Sequence, residues 1–201
     1  MPTLPPLYLA YLLWQQVRED WPALVSPMPD IDTALALVAS GYLVLLISTY
    51  WRKPPFIAQR RDALAVGVTI VAIDAFSLIE HQPMTQPDAW VPAAMLMLLG
   101  TVLAAWSVHS LGGAFSLLPQ ARNVIASGPY TYLRHPMYAG GLLITLGELW
   151  LRWSPLSALL CAAAIVAQLA RLYLEERLLE SQFPVYRAYR TRTSALIPGV
   201  Y

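Results

Sequence analysis

Residues 137–174 read MYAGGLLITLGELWLRWSPLSALLCAAAIVAQLARLYL and contain two apolar runs divided by Trp153-Ser154-Pro155. The second run, 155–174, is long enough to cross a hydrocarbon core about 30 Å thick as a helix, whereas the first, 137–151, is short. Because so few residues separate the runs, we predict a tight antiparallel hairpin of two helices. Pro155 suits the first turn of the returning helix.

Outside this hairpin, apolar runs also occur at 33–51, 63–80 and 90–111. The 201-residue chain is 57% hydrophobic and 12% charged, whereas ordinary soluble domains are roughly 25% charged. A water-soluble protein of this size could not bury so much apolar side chain. We therefore predict an all-α integral membrane protein with about five transmembrane helices.

The predicted spans divide the chain into two regions of one structural domain. Residues 1–111 hold three spans and the short apolar segment 7–14, which we interpret as interfacial. Residues 112–201 hold a loop, the helical hairpin and a C-terminal tail.

Positive charge is distributed unevenly along the chain. Eleven of the 13 lysines and arginines fall on one side of a five-span protein, and only Arg18 and Arg152 fall on the other. The positive-inside rule then predicts a cytoplasmic C-terminal tail and an external N-terminus. The net charge of only +1 argues against a nucleic-acid partner. The eleven residues are Arg52, Lys53, Arg60, Arg61, Arg122, Arg134, Arg171, Arg177, Arg187, Arg190 and Arg192.

A polar segment joins the predicted cytoplasmic loop to the fourth span. Gly128-Pro129 is a turn signal. Pro136 suits the opening of a helix and keeps His135 out of the helical region, so His135 is expected at a helix N-terminus among free backbone N–H groups. Such an end attracts anionic or hydrogen-bond-accepting ligand groups. The alternative is that Arg134, His135 and the nearby tyrosines are interfacial anchors.

A second polar cluster follows the fifth span. Arg171 and Glu175 are four residues apart and share a face of a continuing helix. As an isolated pair they would be an ordinary surface ion pair worth less than about 1 kcal/mol. The hairpin, however, predicts that the end of the fifth span lies beside the start of the fourth. The two polar clusters should therefore form one cytoplasmic site.

The order and spacing of these motifs resemble a known family. Gly128-Pro129-Tyr130 precedes Arg134-His135-Pro136-Met137-Tyr138, and Glu175-Glu176 follows at a two-helix distance. A Phe-Pro-x-Tyr-x-x-Tyr run at 183–189 and Leu196-Ile197-Pro198-Gly199 complete the pattern. Residues 112–201 thus resemble the isoprenylcysteine carboxyl methyltransferase and phospholipid methyltransferase superfamily, whereas the first three spans match only as generic membrane helices.

The resemblance implies an S-adenosyl-L-methionine site and assigns residues to it. Arg171 matches an arginine that faces the methyl acceptor, and Glu175 matches an acid that binds the cofactor. The Phe-Pro-x-Tyr run is one residue shorter than the common form, so Glu176 is the alternative acid. The other cofactor-binding positions implied are Asn123, Val124, Ile125, Tyr130, His135, Pro136, Met137 and Tyr138.

The sequence indicates the methyl acceptor less clearly than it indicates the cofactor. The resemblance favours carboxyl O-methylation of an isoprenylcysteine-like lipid, because Arg171 could clamp a carboxylate with two parallel hydrogen bonds. A carboxylate is ionised at neutral pH and needs no general base. Alternatives are an N-methyltransferase acting on a phospholipid or small lipid, and a non-catalytic membrane binding or assembly protein. No metal is required, and Cys161, the only cysteine, excludes a cysteine-based zinc cluster.

Three further polar residues fall within or near the predicted spans. Asp74 is costly in lipid and should face other helices or an aqueous cavity, in a functional or a structural role. His109 and Glu148 lie near span ends, where hydration or structural pairing is expected.

Overall fold

A computed structural model describes the C-terminal two thirds of the chain nearly completely. The described ranges are 63–80, 82–115, 120–121 and 123–199, and before them positions 10, 11, 13–15, 17, 18, 21, 44, 47, 48, 58 and 59. Within these residues the order is β1 (Ala58–Gln59), α1 (Ala63–Glu80), α2 (Trp90–Leu111), β2 (Gln120–Ala121), α3 (Pro136–Leu151), α4 (Pro155–Gln182) and α5 (Val185–Arg190).

Helices dominate the described part, which confirms the all-α prediction. The one addition is the short antiparallel pair β1–β2, which the sequence did not predict. Helices α1 and α2 have the predicted bounds, and α4 continues past its predicted apolar end to Gln182. The expected first span, 33–51, lies outside the described residues except for helical positions 44, 47 and 48.

Two of the described helices are long and apolar enough to cross a membrane. One is α2 with the turn that follows it, Trp90–Ala114, and the other is α4. Both expose large apolar side chains, including Met95, Leu159 and Val166, each about two-thirds exposed. Helix α1 is shorter in its apolar part, Ala63–Ile73, and α3 has 16 residues. The number of five spans and their orientation stay predictions.

Helix α3 packs chiefly against α2 through glycines that bring the two backbones together. A Cβ added to Gly140 would lie 2.5 Å from the Gly100 carbonyl oxygen, and one added to Gly147 would lie 2.5 Å from Met97 Cγ. Any larger residue at Gly140 would therefore push the helices apart. Small residues commonly allow such close approach of membrane helices.

Helix α4 packs chiefly against α1, so the predicted hairpin is only partly right. Three residues connect α3 to α4, and Ser154 caps α4 by accepting a hydrogen bond from Ser157 N at 2.9 Å. The two helices nevertheless make fewer contacts with each other than with their other partners. The physical reason is the glycine contact, which draws α3 onto α2 instead.

The end of the helices around Arg152 is held together by polar contacts. Arg152 Nε donates to buried Glu148 Oε2 at 2.7 Å, and its NH1 group donates to the Gln82 carbonyl at 2.5 Å. Thr85 Oγ1 also donates to the Trp153 carbonyl at 2.8 Å. The structural pairing expected for Glu148 is thus confirmed, and it ties the α1–α2 connection to the α3–α4 connection.

Candidate active site

The turn before α3 is docked against the end of α2. Residues Gly128–Thr131 form a 3-10 turn, and Gly128 has a φ of +60°, a conformation that favours glycine. A Cβ at Gly128 would also lie 2.5 Å from Ser110 Oγ of α2. Glycine is therefore required there both by backbone conformation and by space. Its placement brings Tyr130 and Leu133 into buried positions.

The C-terminal segment 189–199 lies across this turn and is held to it by backbone contacts. Leu133 and Ser194 form a parallel bridge. Arg134 N donates to the Ser194 carbonyl at 2.8 Å, and His135 N donates to the Ala195 carbonyl at 3.1 Å. We call residues 189–199 the C-terminal strap.

Side chains strengthen the same contact. Tyr189 Oη donates to the Tyr130 carbonyl at 2.7 Å and approaches the Leu133 carbonyl at 3.3 Å. Burial raises the pKa of Tyr189 to about 12, so the hydroxyl remains a donor at neutral pH. Arg134 NH1 donates to the Arg190 carbonyl at 2.9 Å and also to the Thr193 carbonyl. The strap is therefore part of the site.

Glu176 lies at the centre of a buried charge cluster beneath the strap. Its Oε1 accepts a hydrogen bond from Arg134 Nε at 2.7 Å and lies 3.3 Å from His135 Nε2. Its Oε2 lies 3.7 Å from Arg190 Nε. The Arg134 side chain is 1% exposed and that of Glu176 is 10% exposed. We call Arg134, His135, Glu176 and Arg190 the Glu176 cluster, which joins α3, α4 and the strap.

Glu175 belongs to a separate group. Tyr138 Oη donates to Glu175 Oε1 at 2.6 Å, and Arg171 NH2 lies 3.6 Å from the same oxygen. The Arg171 guanidinium also lies over the Tyr138 ring, 5.2 Å from its centroid. We call Tyr138, Arg171 and Glu175 the Glu175 cluster. Its formation confirms that the start of α3 and the end of α4 are neighbours.

The two acids have different surroundings because consecutive helical residues point about 100° apart. Both carboxylate oxygens of Glu176 face cations within its own cluster. The Glu175 side chain is 21% exposed, and its described contacts use Oε1. Glu175 therefore has more capacity than Glu176 to accept hydrogen bonds from a bound molecule.

The start of α3 provides donors next to the Glu175 cluster. His135 is the N-cap residue, and within the described contacts no side chain caps the helix. Pro136 has no N–H group, and its presence at the first position leaves the N–H groups of Met137 and Tyr138 as the first donors of the helix. A helix N-terminus of this kind favours an anionic group.

Not all residues predicted to line the site come together. Asn123 is exposed, while Val124 and Ile125 are half-buried, and the described hydrogen bond is local, from Val124 N to Asn123 Oδ1 at 2.9 Å. Among the described contacts, none joins these three residues to either cluster. His135 faces Glu176 rather than Glu175. His109 is exposed, and the side chain of Asp74 lies outside the described residues.

Sequence reasoning missed the structural use of Arg134, Arg190 and the strap. The motif includes Arg134, and the sequence suggested that this residue is either part of the family motif or an interfacial anchor. Neither interpretation predicts its hydrogen bond to Glu176, 42 residues away. The Phe-Pro-x-Tyr-x-x-Tyr run was the available signal, because its second tyrosine, Tyr189, holds the turn before α3. Within the described part of the chain, no three His, Cys, Asp or Glu residues are grouped as a metal site would require.

Comparison with known proteins shows what this part of the chain resembles. Residues 89–185 match the phospholipid methyltransferase family. The structure resembles that of a eukaryotic intramembrane Ras methyltransferase, isoprenylcysteine carboxyl methyltransferase, with a TM-score of 0.50 and 16% sequence identity. That match covers 96% of this chain and 84% of the other, and it concerns the fold.

Two curated relatives are named as metal resistance proteins rather than as methyltransferases. The nickel-cobalt-cadmium resistance protein NccN of Alcaligenes xylosoxydans is 26% identical over 145 residues, which cover 69% of this chain and 65% of that protein. The cobalt-zinc-cadmium resistance protein CzcN of Cupriavidus metallidurans is 35% identical over 113 residues, 54% of this chain and 51% of that protein. The chain thus spans between half and two thirds of each relative. Residues 89–185, 97 of the 201 residues, are therefore similar to the phospholipid methyltransferase family, and the fold is similar to that of isoprenylcysteine carboxyl methyltransferase.

Proposed function

We propose that this protein transfers a methyl group from S-adenosylmethionine to the carboxylate of a lipophilic acceptor at the membrane. The observation that carries this proposal is the Glu175 cluster, where Tyr138, Arg171 and Glu175 meet beside the uncapped start of α3. S-adenosylmethionine supplies a methyl group on a sulfonium, and the residues around it must exclude water and hold the nucleophile in line.

The residues present suit the polar groups of this cofactor. Glu175 has acceptor capacity for ribose hydroxyls or an amino group, and it is held in position by the Tyr138 hydroxyl. The N–H groups of Met137 and Tyr138 suit a carboxylate. Asn123, Val124, Ile125 and Tyr130 would line the remaining surface, with His135 and Pro136 supporting the helix start.

Arg171 is the residue we assign to the acceptor. Its side chain is 7% exposed, and its guanidinium is held between Glu175 and the Tyr138 ring. A guanidinium fixed in this way can receive a carboxylate through two parallel hydrogen bonds, which orients one oxygen for attack. Methylation of an amine would instead require a base, and the imidazole of His135 at the start of α3 faces Glu176.

The names of the two curated relatives suggest a different activity, direct handling of metal ions. Nickel, cobalt and cadmium prefer nitrogen and sulfur ligands, whereas this chain has three histidines and one cysteine. One of these histidines, His135, already lies in the Glu176 cluster. We therefore propose that any part in metal resistance proceeds through methylation of a lipid or lipidated molecule.

Calorimetric titration of the purified protein with S-adenosylmethionine tests the cofactor. A hydrogen bond to a charged group is worth about 1.5–3 kcal/mol, so Glu175→Gln should raise the dissociation constant by about tenfold or more. Glu180→Gln is the matched control, because Glu180 lies on the same helix and pairs with Arg190 instead. Equal affinities for wild type and Glu175→Gln would contradict the assignment of Glu175 to the cofactor site. Failure of the wild-type protein to bind S-adenosylmethionine would contradict the proposed function.

Transfer of radiolabelled methyl groups tests the acceptor. The substrates are a farnesylated cysteine, a phosphatidylethanolamine and a fatty acid, and the variants are Arg171→Lys and the control Arg177→Lys, which changes an exposed arginine on α4. We expect a base-labile methyl ester and a loss of activity in Arg171→Lys, because lysine lacks the planar fork. Base-stable label on an amine, with Arg171→Lys fully active, would replace this proposal with lipid N-methylation.

A further inference from the structure

Tyr186 is a buried tyrosine whose hydroxyl has no hydrogen-bond partner among the described residues. The residue is 2% exposed and lies in the first turn of α5, where its N–H donates to the Phe183 carbonyl at 3.0 Å. Its ring packs on that of Tyr189, with centroids 5.7 Å apart. Tyr189 uses its hydroxyl to hold the turn before α3, and Tyr186 makes no such contact. A buried hydroxyl without a partner is unfavourable and calls for an explanation.

The surroundings of Tyr186 connect it to the site. Helix α5 contacts α4, which carries both acids, and the Tyr186 ring packs on that of Tyr189 in the strap. Burial raises the pKa of Tyr186 well above its ordinary value, so the group remains a protonated donor. The described hydrogen bonds of the two acids run to Tyr138, Arg134 and His135. A neutral donor without a described partner is thus buried in α5, while the acids of the two clusters already have other donors.

We propose that Tyr186 is a further binding residue of this site, whose hydroxyl donates a hydrogen bond to an oxygen atom of bound S-adenosylmethionine. This inference rests on the proposed function. The cofactor is favoured over the acceptor because Glu176 and Arg134 hold the start of α3, where the cofactor is assigned, whereas the acceptor is assigned to Arg171, earlier on α4.

The proposal predicts effects of opposite sign on stability and on binding. In the ligand-free protein the Tyr186 hydroxyl is buried without a hydrogen bond and therefore does not stabilise the fold. Tyr186→Phe should leave the unfolding temperature unchanged or raise it. In the complex the same change removes a donor, so affinity should fall. Such a conflict between stability and function is common at binding sites.

The experiment compares wild type, Tyr186→Phe and Tyr189→Phe in detergent, measuring thermal unfolding without ligand and calorimetric affinity for S-adenosylhomocysteine and S-adenosylmethionine. We expect Tyr186→Phe to unfold at or above the wild-type temperature and to bind both molecules about tenfold more weakly. Tyr189→Phe is the matched control and should unfold at a lower temperature, because it loses the bond to the Tyr130 carbonyl.

The outcomes separate this inference from the proposed function. Wild-type affinity in Tyr186→Phe, with wild type itself binding, overturns the role of Tyr186 and leaves the methyltransferase proposal intact. Failure of wild type to bind either molecule overturns both.

Discussion

Replacing Glu176 by glutamine should unfold the site from the C-terminal strap inward. The Arg134 side chain is 1% exposed, so its guanidinium cannot turn to water when the carboxylate loses its charge. Removing one partner of a buried ion pair typically costs about 3–5 kcal/mol. By contrast, the Arg190–Glu180 pair has side chains 32% and 27% exposed, so Glu180→Gln should cost at most about 1 kcal/mol.

Denaturant unfolding in detergent gives the free energies, and limited trypsin digestion reports on the strap. Cleavage after Arg190 and Arg192 should accelerate in Glu176→Gln, because the arginine that holds the strap's carbonyls loses the carboxylate that positions it. The control is Glu148→Gln, which breaks the buried pair with Arg152 at the opposite end of α3 and should lower stability without exposing the strap. The reasoning is refuted if Glu176→Gln costs no more than Glu180→Gln, or if both buried-pair variants are digested alike.

Two further predictions concern the helices. Gly140→Ala should lower the unfolding temperature, with a cost of about 1–3 kcal/mol, because its Cβ would meet the Gly100 carbonyl at 2.5 Å. Gly67→Ala on α1 has nothing within 4 Å and should be neutral or gain up to about 1 kcal/mol, so equal effects of the two changes would contradict the glycine contact. Cysteines introduced singly on a Cys161→Ala background should be labelled from the cytoplasm at residue 57 and in the C-terminal tail, and from outside at residue 86. External labelling of residue 57 would reverse the predicted orientation.

Hydropathy and motif order were sufficient to predict helices α1 to α4 and the meeting of the polar ends of α3 and α4. The bounds of α2 follow from an uninterrupted apolar run, and Pro136 marks the start of α3 in sequence as in structure. The Arg171–Glu175 spacing also predicted one face of α4 correctly.

The features that sequence could not predict depend on contacts between distant parts of the chain. Hydropathy does not distinguish one apolar run from another as a packing partner. It therefore could not predict that α3 packs against α2, which depends on the close backbone approach at Gly100 and Gly140. The strap is held largely by main-chain groups, which every sequence possesses. Which of Glu175 and Glu176 contacts the cofactor was left open by the one-residue difference in the motif and stays a prediction.

The strap also determines when, during synthesis of the chain, the site can form. Thr193 is 59 residues beyond the arginine that binds its carbonyl, so at about 5–20 residues per second roughly 3–12 s of synthesis separate the two. During that interval the start of α3 has been made but the carbonyls that will hold Arg134 have not. Under the proposed function, a nascent chain that ends before the strap should not bind the cofactor, and the onset of binding would mark the completion of the strap rather than the insertion of the helices.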